Sequence, residues 1–159
     1  MGSSIARFSP TNYNMNELEI LSNAFEDIFY KFGREYKRVE YIKVKLEEMK
    51  FFEKRDYKNF KENVEISETE FEEMLDDSTP ILERNHLTFL QDYKVCDFFL
   101  YHMHDGELIP VIEIDFFSEA EREQFIRPFW FGSEVSEDRF SSKALFEKIS
   151  QVEEIEEVE

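Results

Sequence analysis

One cysteine, four glycines and four prolines in 159 residues leave few devices for stapling or interrupting a fold. The lone Cys96 excludes an internal disulfide and a thiolate zinc cage, fits a reducing compartment, and is expected to pack rather than react. No apolar run approaches the ~20 residues of a membrane-spanning helix. The opening MGSSIARFSP has no apolar core of a signal peptide, so a cytoplasmic chain without a membrane role is expected. Basic residues are scarce too: 19 Lys and Arg stand against 37 Asp and Glu, for a net charge of −18. Such a surface repels a phosphate backbone, which argues against direct nucleic-acid binding. What is plentiful is apolar material, 42% of residues with 18 Phe, enough to build a core and exclude a wholly disordered chain. The length suits one domain.

Along the chain, residues 1–15 are polar and contain Pro10, which reads as a flexible arm ahead of a domain over 16–150. NELEI (16–20) alternates like a half-buried strand. Leu21, Ala24, Phe25, Ile28, Phe29 and Phe32 then fall at helical spacing and end at Gly33. From Tyr36 to Ile66 the period drops to two, giving strands around IKVK, MKFFEKR and KENVE. Ser67 and Glu70 form a capping-box pattern that opens a helix ending before Pro80. Strands are expected near 81–90, 94–103 and 107–117, the last two joined by an Asp-Gly turn. Ser118 caps a short helix, and Ser141 or Ser142 opens the last one, with Ala144, Leu145, Ile149 and Val152 on one stripe. Residues 151–159 form an acidic tail.

Charged residues recur two apart on the expected strands: Glu17/Glu19, Lys43/Lys45, Arg84/His86 and Glu113/Asp115. Each pair shares one sheet face. A sheet with one wet face accounts for any single pair. Several pairs together also fit a closed barrel whose charged face lines a tunnel. Carboxylates gathered there would call for Mg²⁺ or Mn²⁺, and the cations would neutralise a polyphosphate. His102 and His104 with Asp105 lack a third ligand and read as a polar pair beside a turn. The many aromatic rings read as core rather than as a base-stacking platform, and Trp130 as packing near one barrel end.

The C-terminal third narrows this. Ile112-Glu113-Ile114-Asp115, Pro128, Trp130, Gly132, Glu134-Val135-Ser136 and Arg139-Phe140-Ser141-Ser142 run in the order seen at the end of CYTH proteins, the triphosphate tunnel metalloenzymes, and this segment resembles them. NELEI then looks like the family's opening Glu-x-Glu-x-Lys strand, with Leu21 in place of the Lys. IKVK looks like its Arg-x-Arg strand, KENVE like Arg-x-Glu-x-Glu with Asn63 in place of one Glu, and ERNH like Lys-x-Arg with His86 in place of Arg.

The resemblance implies an α+β fold, a closed antiparallel barrel of about eight strands or slightly fewer with helices packed outside. It implies metal ligands at Glu17, Glu19, Glu65, Glu113 and Asp115, and phosphate contacts at Lys43, Lys45, Lys54, Lys61, Arg84 and His86. Mg²⁺ or Mn²⁺ would accompany a triphosphate or nucleotide, and water would attack the γ-phosphorus in line. The substituted motif positions motivate a second reading, in which the ligand is bound and not turned over. A third, from another class, takes the −18 charge as the surface of an acidic interaction protein, a nucleic-acid mimic or an inhibitor of a basic protein partner. A second copy of the chain is a further candidate partner.

Overall fold

The computed structural model describes residues 4–22, 24–41, 50–56, 64–75 and 80–158. They form a mostly antiparallel α+β fold. Its strands are β1 (Ser4–Ser9), β2 (Ala24–Lys31), β3 (Arg34–Tyr41), β4 (Lys50–Asp56), β5 (Val64–Glu65), β6 (Leu82–Gln91), β7 (Lys94–His102), β8 (Leu108–Phe116) and β9 (Ser133–Val135). Five helices accompany them among the described residues: α1 (Met15–Leu21), α2 (Glu68–Leu75), α3 (Glu119–Gln124), α4 (Glu137–Phe140) and α5 (Ser142–Val158). The strands join one sheet in the order β5-β4-β3-β2-β6-β7-β8-β1-β9. Among the described residues no hydrogen-bonded pair closes this order into the expected barrel.

Much of the local chemistry acts as the sequence indicates. The Ser67 hydroxyl accepts from the Glu70 amide at the start of α2, and Ser118 from Glu121 at α3. The Ser141 hydroxyl accepts from the Ala144 amide at the start of α5. Gly106, at φ +84°, turns β7 into β8. Helix α5 runs on through the acidic tail to Val158, so no break in secondary structure marks the expected edge at 150.

The N-terminal third differs. Ser4–Ser9, expected in the flexible arm, is an inner strand between β8 and β9. Ala6 and Phe8 are almost wholly buried there, and that burial outweighs the polar flanks. NELEI is not the opening strand but most of α1, because Asn14 caps it: its side-chain oxygen accepts from the amides of Asn16 and Glu17. The segment expected as a helix from Leu21 is instead β2, paired with β3 and β6. Both faces of β2 are covered, so apolar residues occur at both parities and imitate a helical spacing. The two-residue turn Phe32-Gly33, with φ of +50° and +78°, closes the β2–β3 hairpin. The IKVK segment and most of KENVE lie outside the described residues.

Each central strand sends alternate residues to opposite faces. One face carries Ala6, Phe8, Leu87, Phe89, Cys96, Phe98, Leu100, Ile112, Ile114 and Phe116, packed under Leu18 of α1 and Phe131. Cys96 is fully buried in this layer, and its thiol is pushed up to about 12, first by burial and then by the Asp97 charge. The opposite face is divided. At one end Tyr30, Leu82, Phe99, Tyr101 and Val111 pack under Leu145, Phe146 and Ile149 of α5. The rest of that face is charged.

Candidate functional site

The charged face is built one residue per strand. Arg7 of β1, Glu113 of β8 and Asp97 of β7 stand directly opposite one another. His86 of β6 and Glu26 of β2 are likewise opposite, as are Lys37 of β3 and Glu53 of β4. These sets meet on diagonals of the sheet, within reach of long side chains. Arg7 Nε donates to Glu113 Oε1 at 2.7 Å. His86 Nε2 lies 2.8 Å from Asp97 Oδ1 and its Nδ1 2.7 Å from Glu26 Oε2. Lys37 Nζ is 3.6 Å from Glu26 and 2.6 Å from Glu53. One chain of polar contacts therefore crosses from β7 to β4, and the Arg7–Glu113 pair extends the row to β1.

Beside it, Arg84 pairs with Glu35 at 3.1 Å and donates to the Ser142 hydroxyl at the head of α5. The Tyr101 hydroxyl also reaches Ser142 Oγ, at 3.2 Å. The Arg84 guanidinium lies 4.7 Å from the centre of the Phe99 ring, on which the His86 imidazole also stacks at 4.6 Å. These are poorly solvated charges: the side chains of Arg7, Arg84 and Glu53 are each 12% exposed, and Glu35 8%.

The protonation of His86 follows from its partners. Burial favours the neutral ring, but the hydrogen bonds it donates to Asp97 and Glu26, with the charges of those carboxylates, outweigh burial and hold the imidazole above its ordinary value. Burial likewise opposes the Glu26 charge, and His86 and Lys37 together hold that carboxyl below its usual range. With each ring nitrogen within hydrogen-bond distance of a carboxylate, the geometry suits a doubly protonated His86 between Glu26 and Asp97. Around it the row sets Arg7, Lys37, Arg84 and His86 against Glu26, Glu35, Glu53, Asp97 and Glu113. The charges nearly balance, so most of the −18 of the chain resides elsewhere.

Solved structures share this architecture. The hypothetical protein NE1496 aligns with a TM-score of 0.56 at 19% identity, over 90% of this chain and 96% of that one. The inorganic triphosphatase NE1496 aligns with a TM-score of 0.55 at 20% identity, over 89% and 94%. This chain has the NE1496 fold. The CYTH resemblance is thereby borne out at the level of the fold. In sequence, the chain matches no protein-family model and no curated protein.

Within the NE1496 fold the expected site residues separate. Arg84, His86 and Glu113 meet on the charged face. Asp115 shares that face but is exposed, as is Glu65, opposite Glu53 in β5. Lys54 pairs with Tyr36 and Val64 and points to the other face. Glu17 and Glu19 belong to α1, away from the row, and the Glu17 side chain is exposed. Lys43, Lys45 and Lys61 lie outside the described residues. The true opening strand presents Ile5, Arg7 and Ser9 to the charged face, so no carboxylate pair stands there.

Pairs of like charge were the guide in the sequence, and they missed Arg7, Glu26, Glu35, Lys37, Glu53 and Asp97. Opposite charges two apart, Glu35/Lys37 and Glu53/Arg55, carry the same face information and would have found three of them. A resident Mg²⁺ or Mn²⁺ fits this donor set poorly. Among the described residues no group of three or more His, Cys, Asp or Glu converges as a metal site. The carboxylates of the row instead bond to its cations.

Proposed function

We propose that this chain binds a triphosphate or nucleotide on the charged face, with the sheet curled round it into a tunnel. The observation that carries the reading is the convergence of Arg7, Lys37, Arg84 and His86 from separate strands onto one face. Three guanidinium or ammonium groups and an imidazolium supply charge-assisted donors for phosphate oxygens. Their low exposure supports the curled sheet: among the described residues α5 packs over one end of this face, and facing strands would shield the charges along the rest. The ligand would enter by exchange, its oxygens taking the place of Glu113, Glu35 or Glu53 beside the cations. A divalent ion would come with the ligand as its metal complex, since Mg²⁺ keeps water and leans on phosphates with one or two carboxylates.

Binding without turnover is the form of this reading that the donor set favours. Ile5 and Arg7 occupy the opening strand, where the resemblance implies a carboxylate pair. Calorimetry with tripolyphosphate and with a non-hydrolysable ATP analogue, each with and without Mg²⁺, tests it. Saturable binding is expected, weakened about tenfold or more by Arg84→Gln through loss of a charge-assisted contact. Absence of heat at millimolar ligand would reject the site. Metal-dependent phosphate release in a parallel assay would restore hydrolysis as the function.

A further inference from the structure

A cleft lies on the opposite side of the sheet from the charged row, where α1 and the 3₁₀ turn Phe129–Phe131 meet the end of β6. Its volume is about 310 Å³, near the lower bound of small-molecule sites. Leu18 and Phe89, both buried, line it from inside, and Tyr13, Phe129 and Trp130 add three more apolar or aromatic surfaces. Glu17 is the single charged side chain on the wall, and the remaining lining groups are neutral. Its carboxylate makes no ion pair among the described residues.

The walls are set by contacts that do not depend on a ligand. Tyr13 packs on Phe98 with ring centres 5.0 Å apart, and Trp130 on Phe131 at 4.7 Å and on Phe89 at 5.8 Å. The Thr11 amide donates to the Trp130 carbonyl at 2.8 Å, tying the segment before α1 to the 3₁₀ turn. At Gly132, with φ +73°, any side chain would collide with the Ser9 carbonyl, so the two segments close on each other only through glycine. Phe131 is fully buried and anchors the turn, whereas Phe129 is 85% exposed at the cleft and has no such packing duty.

Aromatic faces attract cations through their quadrupole, and a lone carboxylate beside them adds the matching charge. Inorganic anions are disfavoured by Glu17 and by the −18 charge of the chain, which concentrates cations around it. We propose that this cleft binds a small organic cation, an alkylammonium with an apolar body, its charge at Glu17 and its alkyl groups against Tyr13 and Trp130. The site is independent of the triphosphate reading, because it shares no residue with the charged row.

Trp130 is the only tryptophan, so its fluorescence reports the cleft directly. The full chain is titrated with tetramethylammonium chloride, with tert-butanol as a neutral probe of similar shape and sodium chloride at matched ionic strength. A saturable change with tetramethylammonium alone is expected, and Glu17→Gln should weaken it about fivefold or more, the scale of one exposed cation contact. Glu17 is exposed and the amide preserves its shape, so circular dichroism should show the variant folded. The proposal is overturned by no saturation at about 100 mM, far weaker than such contacts require. An equal response to tert-butanol or sodium chloride overturns it too, and so does unchanged affinity in folded Glu17→Gln.

Discussion

Asp97 and Phe98 are neighbours in β7 and point to opposite faces of one sheet. Phe98 is 1% exposed and sits in a layer of hydrocarbon between the sheet, α1 and Phe131. Asp97 is half-buried and bonded to His86 in a row of alternating charge. The same backbone thus supports two kinds of interior. The hydrocarbon side is stabilised by area removed from water, which is nondirectional and insensitive to pH. The charged side contributes stability only while each group keeps its partner and its protonation state. A polyphosphate that offers new partners to the cations can act on the second interior and hardly at all on the first.

Breaking the hydrocarbon side should therefore cost most. Phe98→Ala removes a ring that also supports Tyr13, and a loss of about 3–5 kcal/mol is expected from the cavity and transfer terms. Urea unfolding at pH 6 and pH 8 should give the same difference at both. A loss that changes strongly with pH would show that the two faces are coupled, contrary to the comparison.

His86→Leu is the matching test on the charged side. It leaves Glu26 and Asp97 facing each other without their shared cation. Buried pairs broken at one partner lose about 3–5 kcal/mol, and the partial exposure of Asp97 brings the expectation to about 1–3 kcal/mol. The sign with pH is definite. His86 is raised, so its contribution is complete below its ordinary 6.5 and fades as pH rises through the folded value. Glu26 is lowered, so its contribution is complete above its ordinary 4.5 and fades as pH falls. The variant should differ most from the parent between those values and least in alkali. An equal deficit at pH 5.5 and pH 9.5 would mean that His86 acts as a packing ring on Phe99 alone.

These contrasts also explain what the sequence revealed. The caps at Ser67 and Ser118, the Asp-Gly turn and the last helix depend on a few adjacent residues, and all were legible. Residues 24–31 were not, because a strand covered on both faces loses the alternation that marks a strand. NELEI alternated over only five residues, while the stronger signal was Asn14 with Glu17 three residues on, a cap for α1. At the site, Arg84, His86 and Glu113 were legible since each lies in a like-charged pair two apart. Arg7 and Asp97 stand alone in their strands, and only the pairing of β1, β8 and β7 brings them to the row.

The smallest expected effect concerns charge on the hydrocarbon side itself. Asp27 of β2 points to that face, opposite Asn85 and Arg38, and is buried. Burial first, then the hydrogen bond and charge of Glu83, push its carboxyl up to about 7 against the pull of Arg38. Here an acid meets an acid: Glu83 favours a shared proton, while Arg38 donates to Asp27 Oδ2 at 2.7 Å and pulls the other way. A folded value above the ordinary 3.8 means that the native state holds a proton the unfolded chain releases, so stability declines as pH rises from about 3.8 to about 7. Asp27→Asn cannot ionise, and its amide can still donate to Glu83. At pH 5 it should lie within about 1 kcal/mol of the parent, the worth of an altered hydrogen bond. Between pH 4 and 6.5 its stability should vary less with pH than that of the parent. A slope identical to the parent's would mean that Asp27 is already ionised and that Arg38 outweighs Glu83.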